Sequence, residues 1–192
     1  MHRLVLLRHG QTEWSRDGKH TGRTDVPLTA VGEKQAVAAG AQLAELDLRD
    51  PLVISSPRRR ATHTAELAGL PVDRTWDDLS EWDYGIYEGL TTPEIRETVP
   101  GWSVWTHRCP GGEAIDSVQA RADLVLSVVR PQLPTRDVVL IGHGHFSRAL
   151  IARWVEAPVG EGRRYAMDAA AHTLLGYDRG VQQILGLNKG AQ

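Results

Sequence analysis

The chain has 192 residues, enough for one domain with one buried core and short for two. Its 22 Lys and Arg against 24 Asp and Glu give a net charge of −2, which argues against a nucleic-acid or polyanion surface, so local clusters must carry any anion binding. No stretch reaches transmembrane length, Met1-His2-Arg3 leads into an apolar run too short for a signal segment, and the lone Cys109 cannot form an intrachain disulfide; a cytoplasmic protein without membrane attachment is expected.

Residues 3–8 read as a buried strand that ends abruptly in Arg8-His9-Gly10. A polar loop over 10–28 follows, then a helix from Thr29, as N-cap, to Leu46, with Ala36, Ala39, Leu43 and Leu46 on one face. Residues 52–55 form a second short strand, 58–68 a helix and 72–75 a third strand, the alternation of a parallel sheet. Periodicity breaks down over 76–110, where Trp76, Trp82, Trp102 and Trp105 sit among prolines and glycines, as in an inserted cap. It returns in a helix over 113–130 striped by Val118, Ala122, Val125 and Val129, and in a strand over 137–141 that runs into Gly142-His143-Gly144 and a helix over 145–156. Residues 173–177 and 181–187, flanking Asp178-Arg179-Gly180, predict a terminal hairpin. The expected fold is a three-layer α/β/α domain spanning 1–192, with a mostly parallel central sheet and an aromatic-rich cap insertion at about 76–110.

Two histidines, His9 and His143, each end an apolar strand and each adjoin a glycine. The C-terminal edge of an open α/β sheet is where ligands bind, and if these strands are neighbours, about 4.8 Å apart, both rings touch one ligand. Arg8 offers a planar donor fork for phosphate oxygens, while a neutral imidazole at 9 suits a nucleophile, a general base or a metal ligand. A glycine at 10 lets the chain leave the strand without a Cβ in the way. His143 and His145, spaced i, i+2, raise a metal reading, but no cysteine pair or acidic helix supports it and the nearby arginines repel a cation. His20, His63, His107 and His172 belong to no readable motif.

The run Leu6-Leu7-Arg8-His9-Gly10-Gln11-Thr12-Glu13-Trp14 with Gly22-Arg23-Thr24-Asp25-Val26-Pro27-Leu28-Thr29 resembles the histidine phosphatase superfamily, in its phosphoglycerate mutase-like branch. Ser55-Ser56-Pro57-Arg58-Arg59-Arg60-Ala61, Leu79-Ser80-Glu81-Trp82-Asp83-Tyr84-Gly85 and Gly142-His143-Gly144 continue the match in order. The resemblance implies that His9 is a nucleophile carrying a phosphohistidine, that Arg8, Arg60 and His143 hold the transferring group, and that Glu81 protonates the leaving oxygen. Ser15, Thr21, Gly22, Tyr84 and Gly144 complete the substrate-binding set it implies, with no metal and no cofactor. The aromatic neighbours Trp82 and Tyr84 are expected to desolvate Glu81, and an acid-shifted optimum follows. Asp25 reads as a turn residue before Pro27; Arg58 and Arg59 read as solvated or rim residues.

Members divide between mutases and phosphatases. Here Thr92 stands where mutases of this branch carry a cap lysine, and the cap segment holds only Arg96 and Arg108 as cations over 90–108. An uncharged, tryptophan-rich pocket favours water as acceptor. The expected activity is therefore a phosphomonoester hydrolase of acid phosphatase type on a small phosphorylated metabolite. A phosphoglycerate mutase is the alternative; a non-catalytic phosphometabolite-binding module is the alternative of another class, disfavoured by the presence of both His9 and Glu81. No nucleic-acid partner is expected, and the reading leaves room for a homodimer.

Overall fold

A computed structural model describes residues 2–190. A six-stranded sheet in the order β3-β2-β4-β1-β5-β6 forms its centre, from β1 (Leu4–Arg8), β2 (Leu52–Ser55), β3 (Arg74–Thr75), β4 (Val138–Gly142), β5 (His172–Asp178) and β6 (Val181–Lys189). The first four strands are mutually parallel and the terminal hairpin closes one edge antiparallel. Two-residue periodicity divides β1 between two cores. Leu4 and Leu6 pack with α5 (Ile115–Val129), α6 (Gly144–Trp154) and the cap, whereas Val5 and Leu7 pack with α2 (Ala30–Ala44) and α3 (Arg59–Leu67) on the other face. This is the expected three-layer arrangement.

Thr29 caps α2 as its sequence suggests, its hydroxyl accepting from Gly32 N at 3.0 Å. The expected third strand contracts to two residues, because Asp73 turns its carboxylate onto Val53 N (2.8 Å) before the ladder begins. The polar loop over 10–28 is less irregular than expected. It contains a short helix, α1 (Glu13–Arg16), nucleated by a capping box in which Thr12 Oγ1 accepts from Ser15 N and Ser15 Oγ accepts from Thr12 N. A second capping box, Thr91 with Glu94, starts α4 (Thr92–Thr98) within the 76–110 segment. Both were missed because four to seven residues are too few to show a helical period.

Trp82, Trp102 and Trp105 are buried in the larger core, so these tryptophans of the 76–110 segment are chiefly packing residues. Gly10 serves close approach: a Cβ there would lie 2.3 Å from Gly32 O, so the chain leaving β1 runs directly against the first turn of α2. Among the described residues no helix is long and apolar enough to cross a membrane.

Candidate active site

The register of β1 against β4 pairs Arg8 with Gly142, so the next residue of each strand emerges at the same level of the sheet edge. His9 N donates to Gly142 O at 3.0 Å, and the His9 and His143 ring centroids stand 5.2 Å apart. His9 Nδ1 lies 2.7 Å from Gly10 O; a carbonyl only accepts, so Nδ1 carries the hydrogen and Nε2 keeps its lone pair. Burial, then the charges of Arg60 and Arg8, hold the His9 pKa well below its ordinary value. The ring is neutral with its tautomer fixed.

His143 has the opposite tautomer. Arg60 Nε donates to its Nδ1 at 3.2 Å, which places the hydrogen on Nε2, 2.8 Å from Ser56 Oγ. Arg60, fully buried, spends most of its remaining fork on backbone: Nη1 donates to Thr24 O (2.8 Å) and Nη2 to Thr21 O and Gly22 O (both 3.1 Å). The loop carrying Thr21 and Gly22 is held from its other side by Glu88, which accepts from Gly22 N (2.9 Å), Arg23 N (3.3 Å) and Thr24 N (2.9 Å). Carbonyls facing Arg60 and N–H groups facing Glu88 fix this segment as a two-sided clamp. Glu88→Ala leaves three donors without their acceptor, and a fall in stability of about 1–3 kcal/mol is expected in urea unfolding. Asp25 does more than turn the chain: its carboxylate accepts from Arg59 N (3.0 and 3.2 Å) at the start of α3.

Glu81 lies in a different setting from the one its aromatic neighbours suggested. Oε1 accepts from Trp82 N (2.9 Å) and Phe146 N (2.8 Å), and Oε2 from His145 N (3.0 Å), so the carboxylate caps the N-terminus of α6. The Trp82 ring packs edge-on against Trp105, and Tyr84 OH lies 2.6 Å from His145 Nδ1. Three backbone donors hold the buried Glu81 carboxylate.

These groups meet in a cleft of ≈ 260 Å³ lined by Arg8, His9, Ser15, Thr21, Glu81, Tyr84 and Gly144, all expected from sequence. Arg60 and His143 stand behind its floor. Ser15 lines the cleft, but its hydroxyl donates to Thr12 O (3.1 Å) in the α1 cap. A Cβ on Gly144 would sit 3.3 Å from Arg8 Cζ, so the absent side chain leaves room for that guanidinium, whose Nη1 donates to Met167 O (2.7 Å) and whose buried Nε has no partner.

Sequence reasoning missed His20, His145, Lys19 and Arg148, which also line the cleft. His20 and His145 stack at 5.8 Å, His20 lies 4.7 Å from the Tyr84 ring, and Trp102 and Trp105 back them at 5.2 and 5.4 Å. The tryptophans thus reach the site through two imidazoles. Of these four residues only His145 carried a signal, its place two residues beyond His143, and that spacing pointed toward metal. The rings part company, one to Ser56 and Arg60, the other to Tyr84.

Burial pushes His20 down to about 4 and holds His143 and His145 well below the ordinary imidazole value, as it does His9. The unfolded chain titrates these groups near about 6.5, so below that pH it binds protons the native state does not, and unfolding becomes easier as pH falls. Above it these groups contribute no slope. The urea midpoint is expected to be flat between about pH 7 and 8 and to drop between about 6.5 and 5, by up to about 1.4 kcal/mol per pH unit for each such histidine. A midpoint constant across the lower window would contradict the neutral burial of these rings.

The site, with two imidazoles at adjacent parallel strand ends among buried arginines, has the form of a phosphoryl-transfer enzyme. The model of the histidine phosphatase superfamily (branch 1) matches residues 4–190, and the chain belongs to that family. It is 54% identical over 188 residues to an acid phosphatase of Mycobacterium tuberculosis, covering 97% of this chain and 93% of that one. A solved structure of an open reading frame product from the same organism superposes with a TM-score of 0.97 at 53% identity, covering 98% of both chains. A mycobacterial glucosyl-3-phosphoglycerate phosphatase solved with VO3 gives a TM-score of 0.83 at 35% identity, covering 99% of this chain and all of the other.

Proposed function

We propose that this protein is a phosphomonoester hydrolase of acid phosphatase type that works through a phosphohistidine on His9. The observation that carries the reading is the locked Nδ1–H of His9, which leaves its Nε2 as the one nitrogen of the paired imidazoles with an unengaged lone pair, since His143 Nδ1 accepts from Arg60. Nε2 attacks phosphorus and the ester oxygen departs. Arg8 donates to the non-bridging oxygens, the Nε2–H of His143 exchanges Ser56 Oγ for one of them, and Arg60 supplies charge from beneath and fixes the His143 tautomer. Glu81 is the only carboxyl group lining the cleft among the described residues, and Oε2, with a single donor, has room for the proton it passes to the leaving oxygen. In the second half-reaction the same carboxylate takes a proton from water as it attacks the phosphohistidine. Ser15, Thr21, Tyr84 and Gly144 shape the pocket, and Gly22 holds the clamped loop behind it.

Hydrolysis is favoured over mutase chemistry by Thr92, which lines the cleft where a mutase lysine is expected and lies with Oγ1 3.2 Å from His20 Nε2. We take the chain as a single domain whose cap, at about 76–110, is an insertion, because Tyr87, Ile95 and Trp102 share one core with β1 and α5. A cytoplasmic setting fits the lone, buried Cys109, which needs no oxidising compartment.

The test is phosphate release from phenyl phosphate beside a mutase assay with 3-phosphoglycerate and 2,3-bisphosphoglycerate. Release with negligible mutase turnover is expected; efficient mutase turnover without release overturns the reading. Because burial keeps His9 unprotonated well below its ordinary range, kcat/KM is expected to persist as pH falls below about 6.5, and an acid limb centred there would count against a buried neutral nucleophile.

A further inference from the structure

The phosphate-handling groups use only part of the positive charge in the cleft. Besides Arg8, two cations line it, Lys19 and Arg148. Neither takes part in any ion pair among the described residues. Arg148 is held rigidly: its guanidinium lies 4.8 Å from the Trp105 ring centroid, Nε donates to Gly162 O and Nη2 to Arg163 O, each at 3.0 Å. Nη1 has no hydrogen-bond partner among the described residues. Lys19 enters from the opposite side of the chain's order, just ahead of the loop that Arg60 and Glu88 clamp; its backbone bridges to Thr91 and its ammonium lies 5.9 Å from the Trp14 ring. The rings that line the rest of the cleft, His20, Tyr84 and His145, are uncharged near neutral pH.

Three cations line the cleft, Arg8, Lys19 and Arg148, against the one carboxyl group of Glu81, which the first step needs protonated, so a phosphomonoester dianion leaves positive charge over. Fixed cations beside a low-dielectric wall attract a second anion, and a guanidinium anchored by stacking and two carbonyls needs little ordering to receive one. The expectation that the pocket is uncharged came from the cap alone; the cations come from the loop before the cap and from α6.

We propose that Lys19 and Arg148 form a second anion subsite, and that the preferred substrates are small phosphomonoesters with a further anionic group, carboxylate or phosphate, remote from the ester that is cleaved. This rests on the phosphatase reading above and narrows its substrate class.

The test uses matched substrates: phenyl phosphate against 4-carboxyphenyl phosphate, glycerol 3-phosphate against 3-phosphoglycerate, and glycerol 1,3-bisphosphate as the phosphate arm. The wild-type protein is expected to show at least a ~10-fold higher kcat/KM for an anionic member of these sets, arising in KM, since uniform binding of a remote group changes KM with little effect on kcat. That ratio is expected to fall toward one in Lys19→Met and in Arg148→Gln. The Lys19 ammonium makes no hydrogen bond or ion pair among the described residues and touches only the Trp14 ring, which methionine also packs against, so Lys19→Met decides the matter if loss of the Arg148 anchors prevents folding. Equal kcat/KM across every pair in the wild type, with phosphate released from all, overturns the subsite and leaves the phosphatase standing. A preference unchanged in the folded variants overturns its assignment to these residues. No release from any substrate overturns the phosphatase reading itself.

Discussion

His9→Ala is expected to release phosphate from phenyl phosphate more slowly than the wild type by about four orders of magnitude or more, the scale seen when a covalent nucleophile is removed. The reason for so large a loss is that no neighbour can replace it. His143 is the nearest imidazole, but Arg60 occupies its Nδ1 and its Nε2 bears hydrogen, so it has no lone pair to offer. His20 and His145 line the cleft further along and are tied to Thr92 and Tyr84. The substitution removes one hydrogen bond to Gly10 O and leaves no buried charge, so the variant should fold, which circular dichroism checks. Denaturing quench of the wild type during turnover should yield a phosphorylated peptide containing His9, absent from the variant. Turnover within tenfold of wild type would end the covalent mechanism.

Arg60→Met is expected to lower kcat/KM by about 10²–10³-fold, the cost typical of losing one electrostatic stabiliser of the transition state. It is also expected to destabilise the fold by about 2–4 kcal/mol, because three backbone carbonyls and a ring nitrogen lose their donor. Arg60→Lys restores the charge but not the planar fork that reaches Thr21, Gly22, Thr24 and His143 together, so only part of each loss should return. Stability is read from urea unfolding and catalysis at a pH where the variant is fully folded, which separates the two effects. The Arg60→Lys protein matching the wild type in both would show that charge alone suffices and that the loop needs no fork.

Much of the fold was legible because its signals are local: apolar runs of strand length, a capped amphipathic helix at 29–46, and a turn between two terminal strands. The juxtaposition of His9 and His143 was legible too, since both close buried strands and parallel sheets present such ends together. What escaped depends on contacts between distant segments. Nothing near Glu81 announces that it caps a helix beginning at Gly144, and its aromatic neighbours suggested a desolvated acid where the fold supplies three backbone donors. Tryptophan enrichment signalled burial without saying whether the rings face a ligand or the core; Trp82 and Trp105 face each other. His20, Lys19 and Arg148 lie in segments with no strand-end position to mark them, and only the folding of 19–22 against 88–91 brings the first two to the cleft.

The distance between the two imidazoles is set by the hydrogen-bond ladder of β1 and β4, whose pairs run from Leu4 with Val138 to Arg8 with Gly142. A slip of one residue in that ladder would exchange the faces of Leu4, Val5, Leu6 and Leu7 between two different cores, so no compact state tolerates an imprecise pairing. The register that sets the reaction centre is therefore the same one that sorts the side chains of β1 between the two cores. During refolding, recovery of phosphatase turnover should track formation of the central strands, and enzymatic assay becomes a stricter gauge of native structure than any spectroscopic signal for helix.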